Sequence, residues 1–211
     1  MATAQGNSTS GIVLHSPVLY DLTVWLAVLG KERAFRETLL QLASIGNGEC
    51  VLDAGCGTGT LAIAAKGRVG PSGAVYAVDA SPEMLARAKK KAKKAGVQVL
   101  FRNAVAEALP FPDAQFDAVF ITVMLHHLPH KARLQAVNEI RRVLKPGGRV
   151  LAVDFEGIAD QKRTFLSHFH RPHGHVSSHD IIALLSQASL TTMESGQVGT
   201  RDLQFVLAKA S

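Results

Sequence analysis

Two aspartates, a glycine-rich turn and several histidines are the residues of this chain best suited to chemistry, and their spacing says which kind. The run Val51-Leu52-Asp53-Ala54-Gly55-Cys56-Gly57-Thr58-Gly59 sets a carboxylate at the end of an apolar strand and follows it with glycines at alternate positions. Such a turn lets backbone approach a ligand with no side chain in the way. A helix expected from Thr58 to about Lys66 points its N-terminal amides at the same spot. A dinucleotide fingerprint would place glycines at the first, third and sixth positions. Here the sixth position from Gly55 is Thr60, and the third glycine arrives one residue early, at Gly59. An acidic Asp53 would also repel a pyrophosphate, whereas it suits a ligand bearing an ammonium or a sulfonium. A second apolar run, Ala74 to Asp79, again ends on an acid. It lies a little over twenty residues past the turn, the spacing at which a carboxylate accepts from ribose hydroxyls. Later, His126 and His127 follow another apolar run, and His168, His170, His173, His175 and His179 crowd together. An imidazole takes a proton near neutrality without special tuning.

Positioning these groups requires an alternating pattern of strands and helices. Strands are expected at 50–54, 74–79, 97–102, 116–122 and 149–155, with a closing pair at 191–198 and 202–209 split by Gly199-Thr200-Arg201. Helices are expected at 18–44 (with a break near Gly30), 58–67, 82–95, 131–144 and 179–188. Ser81 is the natural N-cap of the third of these, with Pro82 at its first position. Short apolar runs between amphipathic helices indicate an α/β fold: a seven-stranded, mainly parallel sheet with an antiparallel edge hairpin and helices on both faces. Ligands of such sheets bind beyond the carboxyl ends of the strands, where Asp53, Asp79, Thr122 and Asp154 stand. The organisation expected is an unstructured terminus over 1–17, a helical lid over 18–45 and one domain over 46–211. Leu19, Leu22, Trp25, Leu26 and Leu29 form one stripe along that lid.

Composition narrows the function classes. A chain of 211 residues holds one α/β domain with a sizeable core. Much of its net charge of +6 sits in Lys89, Lys90, Lys91, Lys93 and Lys94. These read as a solvated helix end complementing the dipole. Aromatic residues are few, at 6%, and are not interleaved with the basic ones, which argues against nucleic-acid binding. The longest apolar run, Val18 to Leu29, is broken by Asp21 and Thr23 and is too short to span a membrane. Without a signal segment, and with two cysteines, Cys50 and Cys56, placed where no disulfide is expected, the reading is a reducing, cytoplasmic setting. The histidine tract fits no ligand spacing, so no metal is expected.

The segments VLDAGCGTG, VYAVDASPEML, AEALPFPDAQFDAVF, LHHLP and EIRRVLKPGGRVLAVDF occur in that order. Together they make the chain, from Tyr20 to about Phe155, resemble the class I S-adenosylmethionine-dependent methyltransferases. The resemblance implies S-adenosylmethionine as cofactor and S-adenosylhomocysteine as product. It implies that Asp53 takes the methionine ammonium and that Gly55, Cys56 and Gly57 run beneath the cofactor, with Gly59 completing the turn. Asp79 would hold the ribose, Ala80 and Met84 would flank the adenine, and Thr122 would close the pocket at its strand end. One departure stands out. Many relatives carry Gly-Asp where this chain has Ala104-Val105, so the backbone of Ala106 or the nearby Glu107 must serve the adenine amine. The LHHLP segment resembles that of the phosphoethanolamine methyltransferases, which implies His126 as a base working with Tyr20. His127, together with His170 and His173 in the segment after the fifth strand, would face the acceptor. The acceptor expected is a small molecule, hydrophobic or acidic. Two alternatives stand beside this reading. One is a quinone-precursor or phospholipid head-group methyltransferase making peripheral membrane contact. The other is a cofactor-binding partner subunit without catalysis.

Overall fold

In the computed structural model, residues 9–21, 31–156, 176–199 and 203–211 are described. Residues 17–21 are helical, and α1 runs Glu32–Leu42. The remaining order is β1 Cys50–Ala54, α2 Thr60–Val69, β2 Ala74–Asp79, α3 Pro82–Ala95, β3 Leu100–Asn103 and β4 Phe116–Thr122. A single 3-10 turn at Leu125–His127 follows, then α4 His130–Val143, β5 Leu144–Phe155, α5 Ser178–Gln187, β6 Leu190–Gln197 and β7 Leu203–Ala210.

The seven strands lie side by side in the order β3-β2-β1-β4-β5-β7-β6. β3 to β5 are parallel, and β7 runs antiparallel to both β5 and β6. This is the architecture the alternating pattern implies. The chain reverses direction of winding between β1 and β4, and a crevice opens there at the strands' carboxyl ends. Asp53 sits in register with Ala77 on one side and Phe120 on the other, so its carboxyl emerges at the centre of that crevice.

Both faces of the sheet are covered, and the side-chain alternation sorts the core accordingly. Val51, Ala118 and Phe120 pack beneath Phe35 and Leu39 of α1 and Leu61, Ala62 and Ala65 of α2. Leu52, Val119 and Ile121 pack on the opposite face with Val137 and Ile140 of α4 and Ile181, Leu184 and Leu185 of α5. Phe116 and Phe120 are fully buried, and truncating either to Ala would cost about 3–5 kcal/mol. The site therefore rests on a rigid floor.

Three expected boundaries move for identifiable reasons. α2 begins at Thr60 rather than Thr58, because Gly59 adopts a left-handed conformation (φ 75°) as its N-cap. β5 begins at Leu144 rather than 149, with a register irregularity between Phe116 and Ala118. Gly148 makes this possible, since a Cβ there would lie 2.9 Å from the Lys145 carbonyl. The third correction concerns the chain's start. Residues 9–14 fall in the stretch expected to lack structure, yet they lie against the body of the fold. The Ile12 amide donates to the His127 carbonyl at 3.1 Å, and the Thr9 hydroxyl donates to Glu107 at 2.6 Å. Leu22, Trp25, Leu26 and Leu29 of the expected lid lie outside the described residues.

The lysine-rich α3 divides in two. Lys89, Lys90, Lys93 and Lys94 are exposed, as a solvated face should be. Lys91 is half-buried instead: its ammonium donates to Asp21 at 2.7 Å and to the Thr58 hydroxyl at 2.8 Å. Arg87 adds a longer contact to Asp21 at 3.3 Å. The Thr58 hydroxyl in turn donates to Asp21 at 2.6 Å, tying the first helical residues to the glycine turn.

Candidate active site

Two lobes of one crevice meet over the glycine turn, sharing Tyr20, Gly55 and Val123 in their walls. The turn itself is made by positive φ at Gly55 (79°) and Gly57 (53°). A Cβ at Gly55 would strike Met124 at 2.6 Å, and one at Gly57 would press on the Tyr20 ring at 3.1 Å. Glycine is required at both positions by conformation and by space.

The first lobe holds Asp79, Ala80, Met84, Val105, Ala106 and Glu107, with Thr9, Ile12, Val13 and Leu14 across it and Met124, His127 and Leu128 at its far end. Asp79 accepts from the Gly57 amide at 2.7 Å and from the Ser81 amide at 2.9 Å, one bond to each oxygen. Each oxygen keeps a lone pair for a hydroxyl, so a vicinal diol fits. Burial pushes the Asp79 carboxyl up, against these two amides. The side chain of Asn103 donates to the carbonyls of Asp79 and Ala80 and so fixes the loop that carries them.

The second lobe holds Asp53, Arg36, Phe35, Cys56, Thr58, Thr122 and Phe155. Asp53 is 1% exposed; among the described residues its carboxyl oxygens make no full hydrogen bond, and the Ala62 amide offers only a weak interaction. Desolvation raises it to about 7, despite the opposing charge of Arg36. The Arg36 side chain is 12% exposed; one guanidinium nitrogen donates to Glu32 at 2.8 Å, while its buried Nε has no partner. A buried carboxyl and a guanidinium shared with Glu32 thus line one small lobe, and the charge of Arg36 offsets only part of the cost of burying Asp53. That is a costly arrangement unless a ligand carries the complementary pair. The ammonium and carboxylate of an amino acid are such a pair. Arg36 escapes sequence reasoning because its distance from Asp53 along the chain carries no signal; only the packing of α1 over the sheet joins them.

Most of the residues singled out from the sequence come together around the crevice. Asp53, Gly55, Cys56, Gly57, Thr122 and Tyr20 line the crevice, as do Asp79, Ala80, Met84, Ala106, Glu107 and His127. Cys56 is buried and burial drives its thiol well upward, which leaves it inert. Burial likewise pushes the Tyr20 phenol up to about 12, so Tyr20 stays protonated and can donate but not act as a base near neutrality. Gly59 belongs to the turn without lining the crevice: it packs against Ala88 and Phe101. His126 lines neither lobe. The 3-10 turn rotates it inward, where its Nδ1 meets Asp154 at 2.7 Å and its ring packs between His127 and Phe155. His170 and His173 lie outside the described residues, with His168 and His175. Among the described residues, no group of three or more His, Cys, Asp or Glu side chains is placed to hold a metal.

Val123 was not anticipated. It stands at the end of β4 with φ 54°, a conformation that strains a β-branched residue, and lines both lobes. Strain held by surrounding structure concentrates at functional positions. Here the Val123 amide donates to the Val153 carbonyl at 2.7 Å, which holds the turn in place.

Residues 51–148 match a family model described as a methyltransferase domain. The ubiquinone/menaquinone biosynthesis C-methyltransferase of Bordetella avium is 38% identical over 148 residues, covering 70% of this chain and 57% of the relative. That of Pseudomonas paraeruginosa is 40% identical over 146 residues, covering 68% and 56%. The chain thus spans a little over half the length of these curated relatives. A crystal structure of an S-adenosylmethionine-dependent methyltransferase from Aquifex aeolicus is similar at a TM-score of 0.75 and 25% identity, over 94% of this chain and 100% of that one.

Proposed function

Since this chain belongs to the class I S-adenosylmethionine-dependent methyltransferases, we propose that it transfers a methyl group from S-adenosylmethionine to a small-molecule acceptor. The observation that carries the reading is the buried Asp53 carboxyl of the second lobe, with the guanidinium of Arg36 lining the same lobe, beside the diol-accepting Asp79 of the first. Asp53 would hold the ammonium of the cofactor's amino-acid end and Arg36 its carboxylate. Asp79 would take the ribose hydroxyls, and Ala80, Met84 and Val105 would enclose the base. When bound, the cofactor supplies a methyl carbon made electrophilic by its sulfonium and leaves as S-adenosylhomocysteine.

The protein's share of the rate is largely positional. The strained Val123 turn and the rigid sheet fix the acceptor side relative to the glycine turn, and holding reactants in line can supply several kcal/mol of the barrier. The protonated Tyr20 phenol stands over Gly57 and shields that junction from water. Apolar walls from Ile12, Val13, Leu14, Met124 and Leu128 favour a hydrophobic acceptor. The names of the curated relatives, C-methyltransferases of ubiquinone and menaquinone biosynthesis, favour carbon methylation of such an acceptor. Contact with a membrane surface would follow from such an acceptor. No helix among the described residues is long and apolar enough to cross a membrane.

The test is transfer of tritium from methyl-labelled S-adenosylmethionine to 1,4-naphthohydroquinone under reducing conditions, alongside calorimetry of cofactor binding. The expected result is micromolar binding and labelled product that extracts into organic solvent. Binding without transfer to the hydroquinone or to a small-molecule extract would favour a partner subunit that binds the cofactor without catalysis.

A further inference from the structure

The wall across the first lobe from Asp79 and Met84 is supplied by residues 9–14, which no sequence signal places there. Contacts at three points hold this segment. The Thr9 hydroxyl donates to Oε1 of Glu107 at 2.6 Å, and its oxygen accepts from the Gly11 amide at 2.9 Å. The amide occupies a lone pair of that oxygen, so the hydroxyl is fixed with its hydrogen on Glu107. The Ile12 amide donates to the His127 carbonyl at 3.1 Å. Gly11 lies so close to the same turn that a Cβ would stand 2.6 Å from Leu128 and 3.1 Å from the His127 carbonyl. Arg133 of α4 donates to the carbonyls of Leu125 and Leu128 at 2.9 and 2.8 Å, so the segment is moored to a clamped turn. Just beyond it, the exposed His15 ring meets Glu83 of α3 at 3.2 Å, a contact open to solvent and weak.

The polar groups behind this segment are few. Among the described residues lining the lobe, the carboxylates are those of Asp79 and Glu107. Asp79 is committed to a diol, since each of its oxygens already accepts an amide. Ala80, Met84 and Val105 are apolar, so the half-buried Glu107 is the carboxylate that remains for the polar edge of a base. An ionised carboxylate accepts hydrogen bonds and donates none. It therefore suits an edge carrying an exocyclic amine and opposes an edge carrying a carbonyl, which would face it acceptor to acceptor. The Thr9 bond leaves Oε2 for that edge, and an O–H to carboxylate bond of this length is of the strong, charge-assisted kind.

We propose that residues 9–14 are a strap belonging to the cofactor site, in which Thr9 is a positioning residue that holds Glu107 to select an amino-purine nucleoside over an oxo-purine one. This rests on the methyltransferase reading above and adds to it residues that lie outside the matched domain, 51–148. Glu107 has a long side chain whose freedom is costly to lose on binding. Thr9 orders it beforehand, so the cofactor does not bear that cost. Ile12, Val13 and Leu14 of the strap line the lobe and keep water from the bond between carboxylate and amine. The base leaves only when the strap lifts from the His127–Leu128 turn, so the residues that select the base also set how long it stays.

The test compares S-adenosylhomocysteine with S-inosylhomocysteine, which carries a carbonyl in place of the amine, by calorimetry on the full chain. The wild-type chain is expected to bind the adenosine compound at least about thirtyfold more tightly. Thr9→Val keeps the shape and removes the hydroxyl. It should lose about tenfold on the adenosine compound and little on the inosine one, so the ratio contracts, while Thr9→Ser should keep it. Gly11→Val has no room against Leu128 and should contract the ratio too, releasing S-adenosylhomocysteine at least about tenfold faster in stopped flow. Both valine variants should leave Tm nearly unchanged, because the strap stands outside the core. Hydrogen exchange of the wild-type chain gives a second measurement: the amides of 9–14 should gain protection when S-adenosylhomocysteine binds. A wild-type ratio near one, a ratio unmoved by the valine variants or moved equally by Thr9→Ser, or no added protection over 9–14 overturns the proposal. A wild-type chain that binds neither compound overturns the methyltransferase reading and the strap with it; tight binding with an unmoved ratio overturns the strap alone.

Discussion

Asp53 is a carboxyl that the fold keeps uncomfortable until a cation arrives. Its ordinary pKa is near 3.9, and burial raises it to about 7 in the cofactor-free chain. The cofactor's ammonium needs the ionised form, so affinity should fall by up to about tenfold per pH unit as pH drops below 7. Calorimetry between pH 5.5 and 7.5 would measure this; a flat profile would remove Asp53 from the ammonium site. The same shift has a stability consequence. Between pH 4 and 7 the folded chain binds a proton that the unfolded chain has released, so Asp53 destabilises the cofactor-free fold increasingly as pH rises. Asp53→Asn should therefore raise the Tm of the cofactor-free chain at pH 8 while lowering cofactor affinity by about tenfold to a hundredfold. Asp79→Ala should also cost at least about tenfold in affinity, by leaving two ribose hydroxyls to water and freeing the Gly57 and Ser81 amides.

At the scale of elements, the first helical residues and α3 are latched across the glycine turn. Asp21, Thr58 and Lys91 form a three-way cluster that seats residues 17–21 and thereby sets Tyr20 over Gly57. Desolvation opposes ionisation of Asp21, but Lys91, Thr58 and Arg87 more than offset it and hold its carboxyl below the usual range. The pair is partly exposed, at 28% and 23%, so its value is about 1 kcal/mol and falls with salt. Lys91→Met should weaken cofactor binding by about three- to tenfold at low ionic strength, and the wild-type chain should lose the same advantage as salt rises. Lys89→Met and Lys93→Met, on the solvated face, should change nothing. Equal effects from all three would show that helix charge matters and the latch does not. The segment 9–14 closes the same lobe from the other side through the Thr9–Glu107 and Ile12–His127 bonds.

On the scale of the whole molecule, the edge of the sheet opposite the crevice is tied by charge. Arg149 of β5 donates to both oxygens of Glu49 at 2.9 and 2.7 Å, and also to the carbonyls of Ala43 and Ser44 after α1. Lys145 donates to both oxygens of Asp117 at 2.7 and 2.8 Å, and Asp117 accepts from the Cys50 amide. In Glu49 and Asp117 desolvation is outweighed by these bonds, and both carboxyls are lowered. Their contribution is present above about pH 4 and is lost as pH falls through their folded values. Asp53 acts in the opposite sense between 4 and 7. The cofactor-free chain should therefore be most stable near pH 5, as thermal unfolding across pH would measure. Arg149→Met should cost about 2–3 kcal/mol, a Tm drop of several degrees, and leave cofactor affinity untouched because it lies at the far end of the strands.

The signals that could be read from the chain alone were local ones. Apolar runs of strand length ending in Asp53, Asp79 and Thr122, glycines where backbone must turn, and Ser81-Pro82 opening α3 each act within a few residues, so composition and spacing reveal them. The seven-strand sheet followed from their alternation. What only tertiary structure decided are contacts between distant elements. Arg36 joins Asp53 because α1 lies across β1, and Lys91 leaves the solvated lysine face because residues 17–21 pass beside it. His126 pairs with Asp154 because β4 and β5 are neighbours in register, while the following turn rotates His126 away from the crevice and His127 into it. No periodicity encodes such pairings. They depend on which strands adjoin and on which way one short turn faces, and those are settled by the packing of the entire sheet.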